Sequence, residues 1–363
     1  MTGARLELRR DLQPVLVTGG CGFLGCNIAA ALAARGRNVV AADNLSRRGA
    51  RLNAEWLRDH FGNRVEIVVA DVRDQDVVDE LVGDASAVLH LAGQVAVTTS
   101  VIDPIEDFDI NARGTLNILE AVRRQNPRAP VIFASTNKVY GRLLDEGAVH
   151  RVDGRYAPVD DRLASGVSER APLDFHSPYG CSKGAADQYV RDYARVAGLN
   201  TVVLRMSCIY GPRQFGTEDQ GWIAHFLLQA MRGRPITIYG DGCQVRDALY
   251  VGDAVEAWIA ALDGIERTSG EIFNLGGGPS NALSLRDLLG WIEESHGEAP
   301  DVRMEEWRPG DQPWYVSDIG KISRALEWVP RTPLRDGLRV LDDWLTDGVA
   351  APEVATRLQE AQA

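Results

Sequence analysis

The sequence predicts an α/β fold, a doubly wound parallel sheet with a smaller interleaved α/β lobe. Short runs rich in β-branched residues alternate with segments of helical period, the pattern of a parallel sheet covered on both faces. Those runs are apolar through their centres (Val-Leu-Val, Val-Val-Ala-Ala, Val-Ile-Phe-Ala), as burial on two faces requires. After Ser207 the alternation stops and Gly, Pro, Trp and Arg become frequent, which marks the lobe.

In chain order, the expected strands are Pro14 to Thr18, Asn38 to Asp43, Arg64 to Asp71, Ala87 to Gly93, Pro130 to Thr136 and Leu199 to Ser207. Helical patterns at Gly221 to Arg232, Leu285 to His296 and Leu334 to Leu345 sit among short irregular pieces, and Glu271 to Gly277 reads as one more buried strand. This division gives a first domain over 1–207, completed by about 246–276, and a lobe made of 208–245 and 277–363. The stretch from Gly141 to His176 lacks periodicity, and a loop of that length is expected to be a lid over a site or a flexible surface insertion.

The chain has 363 residues, of which 45% are hydrophobic and 25% charged, a composition that argues against disordered, collagen-like and membrane-spanning classes. Its net charge of −12 repels a nucleic-acid backbone or an anionic membrane, so neither is an expected partner. The five cysteines, Cys21, Cys26, Cys181, Cys208 and Cys243, are scattered without C-x-x-C spacing. Neither a disulfide framework nor a metal site is expected, and a reducing cytoplasm fits best. Met1 to Gln13 contains arginines but no apolar core of a leader, and no apolar run approaches a membrane span.

Pro14-Val-Leu-Val-Thr-Gly-Gly-Cys-Gly-Phe-Leu-Gly25 ends the first strand and opens a helix whose Leu24, Ile28, Ala31 and Leu32 share one face. Gly20, Gly22 and Gly25 form G-x-G-x-x-G, and Gly19 adds G-x-x-G-x-x-G. Such a turn lets backbone approach a pyrophosphate and points the helix N-terminus at it, the Rossmann-type arrangement. Asp43 ends the second strand 18 residues after Gly25, where a carboxylate accepts hydrogen bonds from an adenosine ribose and repels a 2′-phosphate. NAD is therefore expected in preference to NADP.

Ser177-Pro-Tyr-Gly-Cys-Ser-Lys183 opens a helix with Ser177 as the expected N-cap, Pro178 in the first turn and Gly198 as the stop. Tyr179 and Lys183 are four residues apart and share a face. Only three lysines occur, at 138, 183 and 321, so a chance Tyr-x-x-x-Lys pair is improbable. A free phenol has pKa ~10, so service as a base near neutrality needs a shift of ~3 units, about 4 kcal/mol, in favour of phenolate. An adjacent ammonium and a cationic nicotinamide ring are suited to supply it. Ser135 and Thr136 end the fifth strand, at the sheet edge where open α/β sheets bind ligands.

Further strings are Asp43-Asn-Leu-Ser, Asp71-Val-Arg-Asp, His90-Leu-Ala-Gly, Asn111-Ala-Arg-Gly-Thr, Tyr210-Gly-Pro-Arg, Val245-Arg-Asp and Arg308-Pro-Gly-Asp. Together the motifs resemble, across nearly the whole chain, the extended short-chain dehydrogenase/reductase family, the sugar-nucleotide epimerases and dehydratases. The strings Ser135 to Gly141, Ser177 to Gln188 and Arg213 to Trp222 resemble most the members that invert C2 of the sugar. The resemblance implies a catalytic set of Thr136, Tyr179 and Lys183. Around NAD it places Gly19, Gly22, Phe23, Leu24, Gly25, Asp43, Asn44, Ser46 and Arg47, with Asp71 and Val72 flanking the adenine. Leu91, Ala92, Gly93, Gln94, Asn111, Ser135 and Met206 complete that list, beside Tyr179 and Lys183. For a nucleotide-diphosphate sugar it implies Gln94, Thr136, Asn137, Cys208, Gln214 and Asp311, with Arg246 and Arg308 on the diphosphate. It further implies a homodimer or higher homo-oligomer.

Related 4,6-dehydratases follow the threonine with an Asp-Glu pair that eliminates water; here Asn137 and Lys138 follow it, which disfavours dehydration. Related 4-epimerases carry asparagine where this chain has Cys208, and the family's Gly-Asp-Gly-Lys-Gln becomes Gly240-Asp-Gly-Cys-Gln244. The expected activity is NAD-dependent epimerisation at C2 through a transient keto-sugar. The alternatives are a 4-epimerase, a UDP-glucuronate decarboxylase and, in a different class, a noncatalytic NAD-binding scaffold.

Overall fold

Seven apolar runs pair side by side into one sheet: β1 (Val15–Thr18), β2 (Val39–Asp43), β3 (Val65–Val69), β4 (Ala87–His90), β5 (Val131–Thr136), β6 (Thr201–Met206) and β7 (Glu271–Leu275), in the order β7-β6-β5-β4-β1-β2-β3. The computed structural model describes residues 13–144, 147–308 and 310–349. The leader reading rests on residues before 13, so it lies outside the described residues, as does the end of the expected lobe. Pairs β1–β2, β1–β4, β2–β3 and β4–β5 are parallel, with Leu16 opposite Val40 on one side and Val88 on the other. All of β1, β4 and β5 is buried, whereas β3, at the sheet's edge, leaves Val69 65% exposed. Every expected strand is present but shorter; the run from Ala87 ends at His90 and continues as loop through Leu91, Ala92 and Gly93.

The chain runs from β1 to β2 on one side, then returns to place β4 on the other side of β1. The carboxyl ends of β1 and β4 therefore frame the topological switch point where such sheets bind ligands. The helix Phe23–Ala34 packs behind it, and its small residues Gly25, Cys26, Ala29 and Ala33 are buried along with Leu24, Ile28 and Leu32. That wrap is wider than the single expected stripe, and Ala31 lies only half-buried.

The helix Ser177–Val196 stops as expected. Gly198 takes φ 67°, and the Leu199 and Ala197 N–H groups both donate to the Tyr193 carbonyl, at 3.2 and 3.1 Å. Its start differs from expectation: Ser177 has φ 65°, in the left-handed region rather than the extended backbone usual for an N-cap.

The chain divides into two compact units. The first holds the chain up to Ser135, Pro178–Arg205 and Val255–Phe273; the second holds Thr136–Ser177, Met206–Ala254 and the chain from Asn274 on. Residues 136–177, 206–207, 246–254 and 274–276, expected in the first domain, thus go with the second unit. Packing explains the first reassignment: Val139, Tyr140 and Val167 share a buried cluster with Val245, Trp314, Tyr315 and Val316.

Gly141 to His176 is not a structureless loop. Val149–Val152 and Arg155–Pro158 form an antiparallel hairpin, and Tyr156 Oη donates to Asp241 Oδ2 at 2.6 Å while its N–H donates to the Cys243 carbonyl at 2.9 Å. Arg151 pairs with Asp241, and Arg155 with Asp287 at 2.7 Å. Inside the second unit, Val245–Tyr250 pairs with Ala282–Ser284, Trp314–Tyr315 and Cys208–Tyr210. Among the described residues no helix is long and apolar enough to cross a membrane.

Candidate active site

The glycine turn is required by contact, not only by pattern. Gly19 sits at φ 67°, and a Cβ there would lie 2.8 Å from the Ala92 nitrogen; one on Gly25 would lie 2.1 Å from the Gly19 carbonyl oxygen. Gly22 caps the helix Phe23–Ala34 without any side-chain cap bond, and its first turn holds no acid. Its leading N–H groups are left for an anion, which fits a dinucleotide pyrophosphate.

Asp43 ends β2 buried, with Oδ2 accepting from the Cys21 N–H at 3.1 Å and Oδ1 from the Leu45 N–H at 2.8 Å. Burial pushes its carboxyl above the ordinary value against those bonds. Burial and the Asp43 charge push the Cys21 thiol up to about 12, so it is inert. Asn44 accepts from Ser46 Oγ at 2.7 Å and donates to Asp71 Oδ2 at 3.1 Å. Arg73 grips Asp71 at 2.9 and 2.7 Å, which brings that carboxyl down to about 2. Val72 is packed against Gly114. Arg47 has Tyr179 and Asp43 as charge partners.

Tyr179 and Lys183 lie on one helix, 7% and 4% exposed. The Lys183 ammonium stands 4.3 Å from the centroid of the Phe133 ring on β5. Burial pulls Lys183 down to about 7, opposed by Asp187 and Asp107. Asp187 takes a buried two-point grip from Arg205, both bonds 2.9 Å, and accepts Ser135 Oγ at 2.7 Å. The Ser135 hydroxyl, expected along the cofactor, is therefore committed to Asp187. His90 bonds Thr18 and Thr115 through its two nitrogens, at 2.7 and 3.0 Å, and burial with the Lys183 charge brings it down to about 3, so it stays neutral. Asn111 lies fully buried in a widened turn, Asp109–Arg113, and its Oδ1 has no hydrogen-bond partner. Gln94 turns its amide onto Ala96 and Asp107.

In the second unit, Thr136 caps a short 3₁₀ turn, its Oγ1 accepting from the Lys138 N–H at 3.2 Å. Asn137 Nδ2 donates to Gln312 Oε1 at 3.3 Å, and Gln312 donates to the Gly141 carbonyl. Asp311 accepts from Arg246 Nη2 at 2.6 Å, with Lys138 Nζ 3.7 Å away. Burial raises the Asp311 carboxyl, but Arg246 and Lys138 outweigh it and hold it below the ordinary value. Burial lowers Lys138 against the pull of Asp311. Cys208 Sγ accepts from Trp222 Nε1 at 3.3 Å, and burial raises its thiol. Arg308 lies 3.8 Å over the Tyr239 ring and faces Glu218 and Asp219 at 3.5 and 3.6 Å. Gln214 donates to the Ile209 carbonyl while its buried Oε1 lacks a partner. Met206 ends β6.

Sequence reasoning passed over Asp107, Ser182, Asp187, Arg205 and Gln312. The spacing from Asp107 to Asn111, one helical turn, and the position of Ser182 inside the Tyr179 to Lys183 string were the available signals.

A switch-point glycine turn, a ribose-type carboxylate and a buried Tyr-Lys pair together define a dinucleotide-dependent enzyme of the short-chain dehydrogenase/reductase type. Residues 15–276 match the NAD dependent epimerase/dehydratase family; the chain belongs to it, and its cofactor is NAD. Over 339 residues it is 45% identical to the CDP-paratose 2-epimerase of Salmonella typhi, covering 91% of this chain and 98% of that protein. Among solved structures it resembles a Thermus thermophilus UDP-glucose 4-epimerase in complex with NAD, with TM-score 0.76, 33% identity and coverage of 93% and 100%. It also resembles a Bacillus cereus UDP-glucuronic acid 4-epimerase in complex with UDP-glucuronic acid and NAD, with TM-score 0.80, 27% identity and coverage of 92% and 99%.

Proposed function

We propose that the protein is an NAD-dependent epimerase of a CDP-linked sugar, inverting C2 through a transient keto-sugar. The observation that carries the C2 assignment is the 45% identity, over nine-tenths of the chain, to a 2-epimerase. The Asn137-Lys138 pair after Thr136 supports it against a dehydratase.

Gly19, Gly22, Gly25 and the helix N-terminus hold the NAD pyrophosphate in this reading, and Asp43 holds the adenosine ribose. Bound NAD supplies the reversible two-electron acceptor that oxidation at a sugar carbon needs. Tyr179 takes the C2 hydroxyl proton and returns it once the sugar presents its other face. The Lys183 ammonium favours the phenolate by its charge, and the Thr136 hydroxyl hydrogen-bonds the reacting oxygen. Arg246 and Arg308 bind the diphosphate, for which guanidinium forks are suited. The nucleotide is thus held firmly while the sugar is free to turn.

Two finer readings accompany it. Val101, Ile102, Ile105 and Phe108, on consecutive helices, are 63, 84, 75 and 52% exposed, and this apolar face supports a homodimer. Five free cysteines support a reducing compartment, the cytoplasm.

An isotope experiment tests the mechanism. Product formed in D2O should carry no carbon-bound deuterium, and substrate deuterated at C2 should keep its label through inversion. Solvent deuterium at C2 would sink the roles of Tyr179 and NAD together. Inversion at C4 with its label retained would keep the mechanism and move the position.

A further inference from the structure

Asp107 is 1% exposed and lies on the short helix Pro104–Phe108. Its carboxylate is held by neutral donors. Ser182 Oγ donates to Oδ2 at 2.5 Å, while Asn111 Nδ2 and Gln94 Nε2 donate to Oδ1 at 3.1 and 3.0 Å. An ionised carboxylate only accepts, so the Asn111 amide must turn its nitrogen to Asp107 and its oxygen away. That buried oxygen has no hydrogen-bond partner. It lies close against Gly93, where a Cβ would stand 2.9 Å from Asn111 Oδ1 and 3.7 Å from Lys183 Nζ. Ser182, the third member of this network, is the residue immediately before Lys183.

The charged and titratable groups around Lys183 are Tyr179 and Asp187 on its own helix, Asp107 from the helix Pro104–Phe108 and His90 from β4, with the Phe133 face from β5, and Arg47 is the cation that faces Tyr179. Asp187, the larger of the two carboxylates that raise Lys183, is also gripped by Arg205 in the buried two-point pair, and His90 is neutral. Asp107 has no cation in its hydrogen bonds; burial raises its carboxyl, and Lys183 is the charge that opposes that rise.

We propose that Asp107 is a positioning residue for the proton-transfer pair, a buried counter-charge of Lys183 and the group that fixes the Asn111 amide with its oxygen on the Gly93 side, where the ammonium also lies. The inference rests on the reading of Tyr179 and Lys183 as that pair. Phenolate with ammonium and phenol with amine carry the same net charge, so the field of a nearby anion decides between them. Asp107 acts on the lysine through its charge, and it favours the form with ammonium and phenolate. Neutralising Asp107 shifts the pair toward phenol and amine, and the base is lost.

Because the chain has only three lysines, the charge of Lys183 is directly readable by NMR of protein labelled at lysine Cε, with the other two signals assigned by Lys138→Arg and Lys321→Arg. In NAD-loaded protein, Asp107→Asn should lower the Lys183 titration midpoint by about one pH unit or more, a tenfold loss of proton affinity. Asp107→Glu should restore it. An unmoved midpoint in NAD-loaded Asp107→Asn overturns the proposal, as does a shift that Asp107→Glu fails to reverse, since packing alone would then account for it. If Asp107→Asn does not fold, Asp107→Ser, smaller and still a hydrogen-bond acceptor, is read against the same two outcomes. The titration uses no sugar, so an error in the C2 assignment leaves it intact, and its failure leaves the C2 assignment intact.

Discussion

The two units prepare their polar groups in opposite ways. In the first, apart from the buried Asp187–Arg205 pair, the buried side chains are joined largely by hydrogen bonds to neutral groups: Asp43 to backbone N–H, Asp107 to Ser182, Asn111 and Gln94, His90 to two threonines. In the second, cations face carboxylates: Arg246 and Lys138 share Asp311, and Arg308 faces Glu218 and Asp219. The first arrangement suits a cofactor that is regenerated in every cycle and need not be exchanged. In the proposed function the second suits an anionic substrate at Arg246 and Lys138, which share the one carboxylate of Asp311 and keep a net positive charge, whereas at Arg308 the substrate must displace Glu218 and Asp219.

Substitutions should separate the two arrangements. The largest effect is expected from Tyr179→Phe, which keeps the ring and deletes the titrating oxygen. Steady-state turnover should fall by ~10² or more while NAD and substrate remain bound. Near-full activity would point to another base, with Lys138 the first suspect.

Arg246→Ala should come next. A charge-assisted contact worth about 1.5 to 3 kcal/mol is removed, so calorimetry should show substrate binding weakened by ~10- to 100-fold with NAD loading unchanged. Loss of NAD together with substrate would erase the proposed contrast between the units.

The smallest effect is expected from Asp71→Asn. The Asp71 carboxyl is held down to about 2, so its contribution to stability is present above the unfolded pKa near 4 and is lost as pH falls through about 2. Asp71 and Arg73 are partly solvated, which limits the loss to ~1 kcal/mol or less. The urea midpoints of wild type and Asp71→Asn should differ at pH 6 and converge only as the pH falls through about 2. A gap that persists in acid would show that the aspartate acts by packing.

The seven-stranded sheet was legible because two-sided burial writes itself as continuous apolar runs, and the glycine turn because its spacing is local. The hairpin within 141–176 was not legible. Its strands expose Arg151, Val152 and Arg155, and what holds them is Asp241, Cys243 and Asp287, far along the chain. Ser177 as an N-cap misled for a similar reason: the left-handed backbone at that residue is not encoded by residue type.

What the sequence determined by itself is whatever depends on neighbours within a turn or a strand: the order of strands and helices, the Gly19 to Gly25 turn, Asp43 at a strand end, and Tyr179 with Lys183 on one helical face. What only the tertiary structure decided is which charges compensate each other. Nothing local pairs Asp187 with Arg205, leaves Asp107 to neutral donors at 94, 111 and 182, or gives Asp311 to Arg246 and Lys138. Electrostatic coupling follows distance through space and the water excluded between groups, and neither is fixed by separation along the chain.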